Sequence, residues 1–355
     1  WIMNNQNRSL LIISSVILIL ISLGCNIANR AISAAMATST AEPLPTLAAT
    51  PLPATEEIIL PTPSLTQPSE SPTEESPPTP APTSAPPAID PCPSELCIEP
   101  GTFILSRPIG PEGRNTIDHS RRYGDYRAST RNANRGVQFL NSLGTPVLAV
   151  ADGTVVVAGD DRNKNYGYYA NAFGNLIILK HDLPGIGAPI YTLYAHLSQI
   201  NVDVDDMVSR GEEIGLVGNT GDVEGSTLYF EIRLGENNYQ SPQNPELWLE
   251  PLEDDDGGTM GALAGRILDA DGNYINVPNI VVEQLAGPGQ PAQDTIYLKT
   301  YTSESMRGLP LHGESFALGD LPAGQYQISF MMEGLQQSVV EVEPGNLTFI
   351  TFVIE

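Results

Sequence analysis

Beyond Gly144 the chain is cut into short apolar runs by Gly, Asp, Pro and Asn, and apolar residues almost never return at the spacing of three and four that a helix requires. The runs "VLAVADGTVVVAG", "GNLIILKHDLPGIGAPIYTLYAHL" and "VSRGEEIGLVGNTG" read as strands joined by Gly-bearing turns, the second as one long hairpin. In "STLYFEIR", Leu228, Phe230 and Ile232 alternate with Thr227, Tyr229, Glu231 and Arg233. That is the period of a half-buried strand, whose polar row is either solvated or lines a site. The expected class is mainly β.

The same pattern resumes after "EPLEDDDGG", an acidic and then Gly-rich break between Glu250 and Gly258. Beyond it, "NIVVEQL", "TIYLKTYTS", "ESFALGDLPAGQYQISFMMEG" and "QSVVEVEPGNLTFITFVIE" are short strands separated by tight turns, the signature of a β-sandwich. Two folded units follow, over residues 92–252 and 261–355, joined by a linker at 253–260. The run Asp254-Asp255-Asp256 lacks the spaced ligands of a calcium loop and reads as a solvated linker.

The N-terminal part cannot supply a third core. From Ala41 to Pro93 it carries 16 of the chain's 31 prolines, and no Lys or Arg occurs between Arg30 and Arg107. Such a segment is expected to remain a disordered stalk, assigned to residues 26–91. Ahead of it, Met3 is the expected start, Leu10 to Leu23 are apolar apart from three serines, and "SLGC" ends at Cys25. That stretch is short for a membrane span and suits a secretory signal. Residues 1–25 are therefore expected to be a signal peptide or lipoprotein anchor with Cys25 as the lipidation site; an uncleaved anchor and a plain signal peptide are the alternatives. All three place the protein outside the cytoplasm, anchored to the membrane or secreted. In an oxidising compartment Cys92 and Cys97, in "CPSELC", read as a local disulfide sooner than as half of a metal site. With a net charge of −25 and no cluster of Lys and Arg, nucleic acid is not an expected partner.

Six ordered blocks, from "YGDYRASTRNANRGVQF" through "GTPVLAVADGTVVVAG", "GNLIILKH", "YTLYAHLSQI" and "RGEEIGLVGNTG" to "STLYFEIR", make Ser106 to Leu249 resemble the lysostaphin or LytM-type zinc endopeptidases of peptidoglycan. The resemblance implies a lysostaphin-like antiparallel β-sheet domain of the duplicated hybrid motif. Active members hold zinc with the His and Asp of a His-x-Gly-x-Asp motif and the second His of a His-Leu-His-Phe-Glu strand. The first His of that strand and the His of a Tyr-Ala-His-Leu block assist the metal-bound water. Here "NRGVQ" puts Asn134 and Gln138 at the first two ligand positions, and "TLYFE" puts Thr227 at the assisting His and Tyr229 at the third ligand.

Neutral amides are weak zinc donors, and Tyr ligates only as a phenolate. Zinc is therefore expected to be lost and no cofactor is expected. Of the catalytic set His196 alone survives, either as a general acid or base or as a vestigial hydrogen-bonding residue, the second reading following from the absent metal set. His181 ends a strand and reads as structural, while His119 lies in a polar loop and His312 in the other unit. A relocated metal site on His181 and His196 lacks an evident third ligand. No Gly-x-Ser-x-Gly elbow and no cysteine outside the presumed pair offers a nucleophile.

The groove would be lined by Asn134, Gln138, His196, Thr227 and Tyr229, groups able to hold a glycan or peptide without cutting it. The expected function is a non-catalytic module that binds peptidoglycan or regulates a cell-wall hydrolase. A display or spacer protein with an inert groove, and a metallopeptidase with unusual ligands, are the alternatives. The C-terminal unit resembles the carboxypeptidase regulatory-like or transthyretin-like sandwich, through "GRILDADGN", "ESFALGDLPAGQYQISF" and "VEVEPGNLTFITFVIE".

Overall fold

The computed structural model describes residues 92, 94–125, 133–287, 290–301, 306, 308–309 and 312–355. The anchor at 1–25 with Cys25 and the stalk at 26–91 lie outside them. The described residues contain eighteen strands and two single 3₁₀ turns, His119–Arg121 and Pro245–Leu247, and no α-helix. In chain order the strands are β1 (Leu96–Pro100), β2 (Val137–Leu140), β3 (Pro146–Leu148), β4 (Gly153–Asp160), β5 (Asn175–His181), β6 (Ile190–Ala195), β7 (Gln199–Ile200), β8 (Met207–Val208), β9 (Glu213–Leu216), β10 (Thr227–Leu234) and β11 (Pro242–Gln243). The C-terminal sandwich follows with β12 (Gly261–Asp269), β13 (Ile280–Leu285), β14 (Ala292–Leu298), β15 (Phe316–Leu321), β16 (Gly324–Met331), β17 (Leu335–Val342) and β18 (Asn346–Ile354).

The N-terminal domain is built on an antiparallel sheet in the order β11-β10-β6-β5-β4-β8, with β2 also pairing β10. The long hairpin forms as the alternation predicts, with Leu176 opposite Ala195 and His181 opposite Ile190. Gly185 and Gly187, at φ of 84° and 72°, turn the connection in a region that other residues enter only with strain. A smaller sheet, β3-β9-β7, stands beside it.

The large sheet is covered on both faces. Leu228, Phe230 and Ile232 of β10 enter a main core with Ile177 and Leu179 of β5 and Tyr194 of β6. The alternate residues of the same strands, Tyr229, Leu176, Ile178, Leu193 and Ala195, join Phe173 in a second, smaller core on the opposite face. A half-buried β10 is thus corrected: Thr227 to Arg233 are all buried, because β10 is an interior strand flanked by β6 and by β2 and β11. The apolar run "NLIILK" fits that setting, since a strand buried on both faces has no solvated row.

In the sandwich, sheets β1-β18-β12-β15 and β14-β13-β16-β17 enclose a core that includes Leu263, Ile280, Phe316, Tyr326 and Ile328. β1, assigned from sequence to the 92–252 domain, pairs antiparallel with β18 from Leu96 opposite Ile350 to Pro100 opposite Asn346. The disulfide Cys92–Cys97 closes at the start of that strand, with a Cα separation of 5.8 Å. Residues 253–260 are a tight turn and not a free linker: Asp254 Oδ1 accepts the N–H groups of Asp256 and Gly258, and Met260 N–H donates to Leu252 O. Ala262, Ala264, Ala317, Leu347 and Phe349 of the sandwich share one apolar cluster with Leu105, Leu247 and Trp248, so the two domains are packed into a single body. Charged groups seal the seam. Arg107 pairs with Asp320, and the buried carboxylate of Glu246 takes both Arg122, at 2.7 Å, and the N–H of Gly319.

Candidate functional site

The positions that matter converge on the middle of β10. Gln138 of β2 is the cross-strand neighbour of Tyr229, and His196, just past β6, brings its ring 5.9 Å from the Tyr229 ring. His196 sits in the left-handed region at φ 65°, held there by its own N–H to Phe173 O and by Nδ1–H donating to Thr220 O at 2.8 Å. That bond places the ring proton on Nδ1. Gly136 opens the space for Tyr229: a Cβ there would lie 2.2 Å from Phe230 O and 2.9 Å from the tyrosine Cζ. The glycine between the two altered ligand positions is therefore fixed by packing.

Tyr229 is only 7% exposed. Its ring stacks on Phe173 at 5.4 Å and 27°, and its hydroxyl donates to Glu231 Oε2 at 3.0 Å. The other oxygen of Glu231 accepts Arg233 Nε at 2.7 Å. Arg233 then donates to Asn237 Oδ1 and to Tyr166 O. Glu231 and Arg233 are two apart on one strand and so share a face, which makes this a buried, internally neutral pair capped by a phenol. Burial, and then the Glu231 charge, push the Tyr229 hydroxyl well above the ordinary phenol value of 10. It stays protonated at any physiological pH.

The remaining positions are taken up by the backbone. Asn134 Nδ2 donates to the carbonyls of Arg121, Arg122 and Gly136 within 3.1 Å, tying down the loop ahead of β2. Thr227 Oγ1 donates to Phe139 O at 3.0 Å and is fully buried. Of the five residues expected to line the groove, Gln138, His196, Thr227 and Tyr229 are buried, and the amide of the half-buried Asn134 is turned to main chain. Alternation put Thr227 and Tyr229 on one face of β10. It could not register that Phe173 and the Glu231–Arg233 pair close that face, although a Glu and an Arg two apart on one strand is a local signal of self-neutralisation.

The other histidines lie elsewhere. His181 is fully buried, with Nδ1–H donating to Asp152 O at 2.8 Å and Nε2 2.7 Å from Thr192 Oγ1. Burial holds its pKa below 6.5, and a neutral ring at that place links β5 to β6. His312 contacts Glu99 across β1 and the sandwich, and His119 stands in a 3₁₀ turn beside the seam with its pKa lowered by burial and by Arg122. Among the described residues no three His, Cys, Asp or Glu side chains are grouped to hold a metal ion.

Residues 132–245, which span this site, match peptidase family M23. The chain carries a peptidase family M23 domain. It is 40% identical over 97 residues to the peptidoglycan DD-endopeptidase ShyA of Vibrio cholerae, covering 27% of this chain and 19% of that protein. It is 36% identical over 105 residues to the murein hydrolase activator NlpD of Escherichia coli, covering 30% and 24%. Among solved structures, the catalytic domain of the antimicrobial peptidase lysostaphin from Staphylococcus simulans is 31% identical, with 35% of this chain and 85% of that one covered and a TM-score of 0.30. The chain spans less than a quarter of the length of either curated relative. The M23 domain thus occurs in proteins named for cutting the wall and in proteins named for activating its hydrolases.

Proposed function

We propose that this chain is a non-catalytic M23 protein of the cell envelope, which binds peptidoglycan and through it positions or regulates a wall hydrolase. The observation that carries this is Tyr229. At the third ligand position stands a phenol kept protonated by burial and donating to a carboxylate, in a stacked aromatic core. The donors at the other two positions are neutral amides, and that of Asn134 is turned to main chain. Zinc takes imidazole, thiolate or carboxylate, so the set does not fit it, and no hydrolytic step is derived through it.

A second reading, a spacer or display protein, is favoured by the burial of Gln138, His196, Thr227 and Tyr229, since side chains packed inside the domain offer little surface to a ligand. Export, with Cys25 as the lipid anchor, belongs to the same proposal and rests on the N-terminal sequence. Metal analysis of the purified protein together with turnover of muropeptides tests the non-catalytic reading. The expected result is less than stoichiometric zinc and no new stem-peptide fragments, with saturable binding to purified peptidoglycan. One zinc per chain with cleavage overturns the proposal. Indifference of the wild-type protein to the wall leaves the spacer.

A further inference from the structure

The loop between β4 and β5 carries three tyrosines in four positions, Tyr166, Tyr168 and Tyr169. Tyr168 is 62% exposed and Tyr169 38%. Their rings meet edge to face at 6.1 Å, and Tyr168 lies 6.4 Å from Tyr239, which comes from the turn after β10. Three aromatic side chains from two distant loops thus gather at the surface, while Tyr166 packs against the small core beneath them.

Their positions are fixed from below. Arg135 stacks its guanidinium 3.6 Å over the Tyr239 ring and donates to the Tyr239 carbonyl. Arg233, held in the interior by Glu231, donates to Tyr166 O at 2.8 Å, and the Tyr169 hydroxyl donates to Asp222. The buried ion pair that fills the old site therefore also anchors the tyrosine loop. Rings held this way lose little conformational freedom when a ligand lands on them.

The chemistry around the rings narrows the ligand. The exposed neighbours are Arg162, Asn163, Lys164, Asn165 and Asn171, and the loop exposes no Leu, Ile, Val or Met. Protein hot spots set their aromatic anchors in a desolvated apolar surround, which is missing here. A sugar ring has what this surface asks for: a C–H face to lie on an aromatic face, and hydroxyl and acetamido groups to meet amides, phenols and cations at its edge.

We propose that the Tyr168, Tyr169 and Tyr239 shelf binds the N-acetylated glycan strand of peptidoglycan. The proposal rests on the wall-binding reading above and names the component bound and the surface that binds it. Tyr297, 67% exposed on β14 of the sandwich, is the matched control.

The test is calorimetric titration of the full chain with a β-1,4-linked N-acetylglucosamine tetrasaccharide and with peptide-free glycan strands. Both are expected to saturate. Tyr168→Ala and Tyr239→Ala each weaken them at least tenfold with unchanged melting temperature, and Tyr297→Ala stays within twofold of wild type. Binding of intact sacculi without binding of either sugar probe overturns the glycan site and leaves the wall-binding function standing. Loss of a purified wall hydrolase by Tyr168→Ala, with neither sugar bound, assigns the shelf to a protein partner and also overturns it. Sacculi ignored by the wild type remove both proposals.

Discussion

Two tyrosine–glutamate pairs are buried among the described residues, and they behave differently. On β10 Tyr229 donates to Glu231, and Arg233 supplies the compensating cation at 2.7 Å. At the seam between the domains Tyr301 donates to Glu314 at 3.1 Å, and the other carboxyl oxygen takes Leu309 N–H. Around that phenol stand Asn244, and Tyr123 edge-on at 4.9 Å, all neutral. Burial pushes Glu314 up from 4.5 to about 7. The same two residue types thus make a fixed ionic lock in one place and a proton-holding group in the other. Among the described residues, what separates them is the Arg233 guanidinium beside Glu231.

Removing that guanidinium is the severest way to break the contrast. Arg233→Ala leaves Glu231 buried and unpaired and frees the Tyr166 carbonyl, and is expected to cost about 3–5 kcal/mol in urea unfolding. Next is the pH response of the seam. The folded chain keeps a proton on Glu314 that the unfolded chain releases above 4.5, so this group's stability is full below pH 4.5 and lost as pH rises through 7. The loss is about 3 kcal/mol, and calorimetric melting from pH 4.5 to 8 should show it in the wild type and a flatter profile in Glu314→Gln. Tyr301→Phe, which removes the phenol that favours the ionised form, should push the same loss to higher pH.

Gly136→Ala tests the packing that admits Tyr229. The added Cβ meets backbone that cannot swing aside, and about 2 kcal/mol of stability should be lost. The mildest change is Tyr229→Phe, which keeps the stack on Phe173 and deletes one buried hydrogen bond, for about 1 kcal/mol. A larger loss there would mean that the phenol, and not Arg233, holds Glu231 in place.

The strands of the M23 domain and the β5–β6 hairpin were legible because alternation and Gly-bearing turns are local signals, and Leu228, Phe230 and Ile232 do face the main core. The residue types at Asn134, Gln138, Thr227 and Tyr229 were equally legible, since identity alone decides whether a position can be an imidazole. Two things were not. Glu231 and Arg233 look like solvent-facing residues until their mutual neutralisation is seen in space. The place of Leu96–Pro100 was hidden too, because its partner strand lies about as far along the sequence as the chain allows, and nothing in "LCIEP" points to it.

That pairing has a mechanical meaning. β1 is where the described body begins, and it lies antiparallel to β18, the last strand, with Thr351 N–H also donating to Glu95 O. Tension arriving along the chain from before residue 92 must enter through β1 and pass to β18. β1 therefore ties the incoming chain to the sandwich where the backbone runs on into the M23 domain, and the Arg107–Asp320 pair and the Gly319–Glu246 bond hold the two domains together at the seam. Pull on the entering strand is therefore shared between the two domains, through the β1–β18 ladder on one side and the continuing backbone on the other.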